Sequence, residues 1–196
     1  MNNIILQGQI IDDITFSHES YNEKFYKFTL NVKRNDITED VIPIEASEYL
    51  IKDIQKNDFV SITGNIRTQN VLEGERKRLY VKVFAKRLSK CEEGYRNEVE
   101  LQGVSVKPII LRHTKSEKDI CDVCLAIKRS YNKTDYIPVI IWNRQANLMS
   151  TLDVYSTIKI KGRLQSRYYC KKNENNEITE ERTVLEVSVY ELSIVE

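Results

Sequence analysis

The sequence has few of the residues that build metal sites, disulfide scaffolds or membrane spans. Its 196 residues include only four cysteines, two histidines, three prolines and six glycines. The cysteines, at irregular spacing, do not form the pattern of a disulfide framework or a zinc site. No apolar run approaches the roughly 18 residues that a membrane helix needs. We therefore expect no metal, no cofactor, no membrane partner and a cytoplasmic location.

A strong charge of one sign is also missing. Thirty basic residues face 29 acidic ones, which gives a net charge of +1. Whole-chain charge therefore neither indicates nor excludes a nucleic-acid partner, and any such signal must be local. Glycine-rich phosphate loops, nucleophile elbows and paired-carboxylate motifs are absent as well. We expect that the protein is not an enzyme.

Cys121 and Cys124 form a CxxC pair, which elsewhere can be a redox couple or half of a metal site. Here the pair lies inside an apolar stretch that reads as a β-strand. Residues three apart on a strand face opposite sides, so the two sulfurs should not converge. We interpret both as packing residues.

What the sequence does contain is an internal repeat. Three segments recur at a spacing of 95 residues, and two later ones at 98 and 104. A spacing that changes only between segments is typical of duplicated strands joined by loops of different length. We expect two domains, residues 1–92 and 96–196, joined at the polar stretch CEEGYR. The matching pairs are NIILQG and EVELQG, LNVKR and LAIKR, DVIPI and DYIPV, VSITGNI and IKIKGRL, and YVKVFAKRL and VLEVSVYEL.

Each repeat predicts five strands with one short helix between the third and the fourth. Runs rich in Val, Ile, Thr and Tyr alternate with charged turns, and helices are expected over residues 47–55 and about 143–151. This order in fewer than 100 residues is typical of the OB-fold, a small Greek-key barrel. We predict an all-β chain of two tandem OB-folds with one short helix per repeat.

Strand alternation groups aromatic and basic side chains in the second repeat. Tyr136 and Trp142 share one face of its third strand. Flat rings on which bases stack and cations that follow the phosphates are what single-strand binding requires. An alternative for Trp142 is that the indole caps the core. The fourth strand carries a row of outward side chains: Lys159, Lys161, Arg163, Arg167 and Tyr169.

The second repeat resembles the bacterial single-stranded DNA-binding proteins over nearly all of residues 97–192. The most specific part is DYIPVIIW followed by GRLQSR, and the first repeat resembles the family more weakly. The whole therefore resembles the double-OB form of the family. The resemblance implies base stacking by Tyr131, Tyr136, Trp142 and Tyr169, with Lys128 and Arg129 beside the first. The segments that carry it are NEVELQGVSV, LAIKRSY, DYIPVIIWNRQAN, IKIKGRLQSRYY and TVLEVSVYEL.

This resemblance also implies function and assembly. It predicts sequence-nonspecific binding of single-stranded DNA in replication, recombination or repair, and a homodimer that supplies the four OB units typical of the family. Many members end in an acidic tail that recruits replication and repair proteins, whereas this sequence ends at ELSIVE, so we expect no recruiting tail. Two alternatives remain: a primosome-like OB protein that bridges protein partners, and a binder of single-stranded RNA.

The first repeat lacks the aromatic set. The residues aligned with the four stacking positions are Asp36, Val41, Ser47 and Val71, none of which offers a ring. The matching face of its fourth strand holds one cation where the second repeat has four. We therefore expect binding to be concentrated in the second repeat.

Overall fold

The described part of the chain forms twelve strands in one sheet, and buried and exposed side chains alternate along them. In β1, Ile4, Leu6 and Ile10 are buried, whereas the residues between them remain partly accessible. The computed structural model describes residues 1–35, 37–114, 117–172 and 178–195, except for the side chains of 169, 171–172 and 178–181. The strands of the first repeat are β1 (Asn2–Ile10), β2 (Thr15–Ser20), β3 (Glu23–Lys33), β4 (Glu39–Ser47), β5 (Phe59–Glu73) and β6 (Arg76–Lys90). Those of the second are β7 (Arg96–Ser105), β8 (Ile110–His113), β9 (Asp119–Lys128), β10 (Thr134–Trp142), β11 (Thr157–Lys172) and β12 (Ile178–Ile194).

Each set of six strands closes into a barrel. In the first set, β1 pairs with both β3 and β5, and β4 pairs in parallel with β6. In the second set, β7 pairs with both β9 and β11, and β10 pairs in parallel with β12. This closure, with one parallel pair and a shared first strand, is that of a Greek-key barrel. The predicted all-β fold class is confirmed.

Two details of the predicted repeat are wrong. Each barrel has six strands and not five, because β2 and β8 add short hairpins onto β3 and β9. The helix expected over residues 47–55 is only a 3₁₀ turn, Glu48–Leu50. Ser47 makes no side-chain capping bond there, and so short a segment is a marginal helix without one.

The second predicted helix is confirmed as α1 (Asn143–Ser150), which buries Ala146 and Met149. It packs against β9 and β10 and follows β10 without a loop. In the described part of the chain, no helix has the length and apolar character needed to cross a membrane.

The two barrels are joined edge to edge. Strands β1 and β7 pair antiparallel over six residues, from Asn2 opposite Leu101 to Gln7 opposite Arg96. This pairing gives a continuous sheet in the order β6-β5-β1-β7-β11-β12. Beside the joint, and within each barrel, the amides of Asn2 and Asn97 bond the backbone N–H and C=O of Ile66 and Leu164 respectively.

A buried carboxylate from each barrel holds a strand of the other. Asp135 Oδ1 accepts from the Thr68 N–H at 2.9 Å, and Asp40 Oδ1 accepts from the Ser166 N–H at 2.7 Å. Both carboxylates are 1% exposed. Since unpaired buried charges are costly, Arg34 pairs with Asp40 and Arg67 with Asp135. These contacts fix β4 against β11 and β10 against β5.

Candidate functional site

A cavity of about 480 Å³ lies at the end of β10, beside Trp142. The indole Nε1–H donates to Ser188 Oγ on β12 at 3.0 Å, which holds the half-buried ring in place. Ser188 is in register with Arg163 on β11, so strand pairing sets the guanidinium on the same face as the indole. The cavity is lined by Arg34, Lys118, Trp142, Asn143, Arg163, Gln165, Ser188, Val189 and Tyr190.

The cavity is electropositive. Three of its lining residues are cationic and, among those the structure describes, none is acidic. The Arg163 Nε is inaccessible to solvent and has no hydrogen-bond partner within the described ranges. Desolvation lowers the pKa of Arg163, and the nearby charge of Arg34 lowers it further. A site with these properties suits an anionic ligand next to an aromatic surface.

Tyr131 and Tyr136 lie at the other end of β10 from Trp142. Tyr136 is 43% exposed and shares the Trp142 face of the strand, whereas Tyr131 is 90% exposed in the turn between β9 and β10. Lys128, at the end of β9, is exposed. Arg129 lies 3.7 Å from the buried Asp135. None of these four residues lines the Trp142 cavity.

A larger groove, of about 610 Å³, separates the two ends of this face. It runs between the two barrels and takes its walls from both, with Pro43 and Pro138 at equivalent positions. Its basic side chains are Lys77, Arg78, Arg167 and Arg182. Arg167 also approaches Glu186 at 3.4 Å.

The remaining predicted cations on β11 lie apart from both cavities. Lys159 pairs with Glu100 at 2.8 Å and Lys161 pairs with Glu191 at 2.9 Å. Exposed pairs of this kind contribute little and exchange readily with other anions. Tyr169 pairs through its backbone with Arg182 in the β11–β12 hairpin, but its side chain is outside the described residues.

Of the nine lining residues, the sequence analysis predicted only Trp142 and Arg163, and those it missed include Arg34, Lys118 and Tyr190. Tyr190 is 58% exposed and stands at an irregularity of the β11–β12 pairing, where β12 has one extra residue. Arg34 comes from the first repeat, so no pattern within the second could show it. Only the 95-residue offset between Arg34 and Arg129 marks these as equivalent arginines.

In the first repeat, the equivalent surface is occupied by the barrel's own side chains. Glu45, 6% exposed, pairs with Lys82 at 2.5 Å. Phe25 stacks on His18 at 5.0 Å and packs against Phe84 at 5.8 Å. These contacts leave the rings of Phe25 and Phe84 packed on each other.

The CxxC pair behaves as a packing pair. Cys121 is fully buried and Cys124 is half-buried. Burial raises the pKa of the Cys121 thiol to about 11 and raises that of Cys124. Thiols with raised pKa values are poor nucleophiles and poor metal ligands at neutral pH.

Two barrels closed in this way define an all-β protein of the OB-fold class. Residues 96–195 match the single-strand binding protein family, and the chain belongs to this family. Its members bind DNA without catalysing a reaction, which agrees with the expectation that this protein is not an enzyme. Membership supports single-stranded DNA binding as the activity.

Solved structures with the same fold include the wild-type single-stranded DNA binding protein of Thermus aquaticus. That comparison gives a TM-score of 0.80 at 16% identity and covers 100% of this chain and 93% of the other. A deletion mutant of the same protein gives 0.77 at 17% identity, with coverages of 100% and 95%. A search of curated protein sequences gave no match.

Proposed function

We propose that the protein binds single-stranded DNA without sequence preference, by stacking bases on the exposed face of β10 and pairing phosphates with nearby cations. The observation that carries this proposal is the Trp142 cavity, where an indole lies beside Arg163, whose Nε has no hydrogen-bond partner among the described residues. Base stacking on aromatic rings is tolerant of sequence because every base has a π face.

The proposed strand path follows one face of β10. Tyr136, Pro138 and Trp142 share this face, and Trp142 follows Tyr136 by six positions, which corresponds to about 20 Å along the strand. Between them, Pro138 borders the groove that also holds Arg167. The path thus joins the two aromatic positions through a basic groove, with room for several nucleotides.

Tyr131, Lys128 and Arg129 would extend this path beyond Tyr136, and Tyr169 would contact it from the β11–β12 hairpin. Lys159 and Lys161 would act at its edge after exchanging their carboxylate partners for phosphates. The division of labour follows the same logic: residues 96–196 form the binding domain, and residues 1–92 form a supporting one. We place the activity in cytoplasmic DNA replication, recombination or repair, carried out by a homodimer.

The proposal is tested by fluorescence anisotropy of a labelled oligothymidine strand titrated with the full chain. Unlabelled single-stranded DNA should displace it, and duplex DNA of equal length should compete at least tenfold less well. A single-stranded RNA arm separates DNA from RNA preference. Equal competition by duplex DNA would contradict a stacking mechanism, because the bases of a duplex are not available to aromatic side chains.

Salt dependence tests the phosphate contacts. Each contact with a single strand releases condensed counterions, so about four to six contacts predict a slope of log K against log salt of roughly −3 to −4. A flat response would contradict the participation of the basic groove.

A further inference from the structure

We infer that the first repeat completes the phosphate site of the second: Arg34, together with Arg163, binds one backbone phosphate of a single strand whose neighbouring base stacks on Trp142. This inference rests on the proposed function and adds to it a residue from the barrel that lacks stacking aromatics. The ligand class is a phosphodiester within a single-stranded nucleic acid.

Arg34 is held in position by the contact between the barrels. Its Nε and Nη2 donate to the Asp40 carboxylate at 3.2 and 2.5 Å. The same carboxylate accepts from the Ser166 backbone of β11, so Asp40 fixes Arg34 beside the second repeat. A guanidinium carries five N–H donors, and those that Asp40 does not engage remain for a ligand. A cation ordered in advance binds a phosphate at a lower entropic cost.

Arg163 supplies the second cation. Its Nε is buried without a hydrogen-bond partner in the described part of the chain. The charge of Arg34 repels that of Arg163 and lowers its pKa, and the nearby Asp40 carboxylate offsets part of this repulsion. An anion between them removes that repulsion, and phosphate oxygens match the planar fork of arginine.

The equivalent place in the first repeat cannot form this site. Arg129 of the second repeat corresponds to Arg34, but it lies 3.7 Å from Asp135, whereas Arg34 lies 2.5 Å from Asp40. Ser47 replaces the indole, however, and Asn65 replaces Arg163. The Asn65 side-chain amide is already bonded to backbone carbonyl groups of its own repeat. Each barrel therefore contributes an equivalent buried carboxylate to the contact. Only one of the two equivalent places, however, has the residues of the proposed phosphate site.

Arg34→Gln in the full chain tests the inference, with Arg67→Gln as its matched control. Both changes remove a guanidinium from a buried carboxylate between the barrels, and Gln keeps a donor for that carboxylate. Of these two arginines, only Arg34 lines the Trp142 cavity.

Loss of a charged hydrogen bond to phosphate should weaken binding to oligothymidine about tenfold in Arg34→Gln. It should also reduce the salt slope by about 0.7, the value of one phosphate on a single strand. Arg67→Gln should stay within about twofold of the wild type.

The outcomes separate this inference from the proposed function. If the wild type does not bind oligothymidine, the proposed function fails. If it binds and both variants keep its affinity and salt slope, the role of Arg34 is refuted while the proposed function stands.

If a lowered melting temperature shows that Arg34→Gln loses its fold, a second comparison replaces it. Arg34→Lys, which keeps a cation beside Asp40, and Arg163→Gln are then measured singly and together. Two residues that share one phosphate predict non-additive losses in the double variant. Additive losses would overturn the inference.

Discussion

At the scale of single residues, hydrogen bonding and strand register decide which side chains can act together. Trp142 bonds Ser188, and Ser188 is in register with Arg163, so three strands set one indole beside one guanidinium. Alternation along β10 was enough to predict that Tyr136 and Trp142 share a face. Arg34 could not be predicted, because its place depends on a carboxylate that bonds a strand of the other barrel.

Tyr136→Ala should weaken binding of single-stranded DNA by about 1 to 3 kcal/mol, because it removes one stacking platform from the β10 face. Titration of a labelled oligonucleotide measures the loss. Tyr21→Ala is the control, since Tyr21 is 97% exposed in the turn between β2 and β3 of the first barrel. Equal effects of the two changes would mean that Tyr136 is an ordinary surface tyrosine.

At the scale of elements, the repeat spacing predicts which strands are equivalent but not how they close. Gly64 and Gly162 occupy matched positions in the two repeats, and a Cβ there would lie 2.2 and 2.3 Å from the carbonyl oxygens of Phe84 and Ser188. This close approach explains why both repeats have glycine here. The sequence showed that the two glycines match but not that they approach a neighbouring strand.

The first predicted helix is a 3₁₀ turn in the structure, although its apolar residues were identified correctly. Leu50, Ile51 and Ile54 pack on the core without a regular helix, so the apolar spacing was informative although the predicted geometry was wrong.

Two ion pairs of similar length, the buried Arg34–Asp40 and the exposed Arg96–Glu98, should differ in their contribution to the free energy of unfolding. Asp40→Ala should lower the free energy of unfolding by about 1 to 3 kcal/mol, because Arg34 and the Ser166 N–H lose a buried acceptor. Glu98→Ala removes the carboxylate of the Arg96–Glu98 pair, which is about half exposed, and should cost less than about 1 kcal/mol. Urea unfolding followed by circular dichroism gives both values. Equal losses would contradict a special role for the buried contact.

At the scale of the whole molecule, edge pairing of β1 with β7 makes two barrels into one sheet. The contacts between the barrels follow an approximate two-fold relation, in which Asp40 corresponds to Asp135. Trp142 and Arg163 do not follow it, because Ser47 and Asn65 occupy their positions in the first barrel. The proposed binding surface therefore takes its indole and the Arg163 guanidinium from the second barrel alone.

We predict a homodimer from the sequence resemblance alone. Two OB units per chain make a homodimer sufficient for the four units typical of the family. Light scattering at micromolar concentration should give about twice the chain mass of 23.0 kDa. A mass of 23.0 kDa would rule out a stable dimer and leave the proposed binding face unaffected.

The intrinsic fluorescence of Trp142 tests the central claim most directly, because it is the chain's single tryptophan and lies in the proposed site. Saturating single-stranded DNA should quench its emission through base stacking, and duplex DNA of equal length should leave the emission nearly unchanged. Binding is confirmed independently by anisotropy of the labelled strand. Unchanged emission with the strand fully bound would show that the DNA does not reach Trp142.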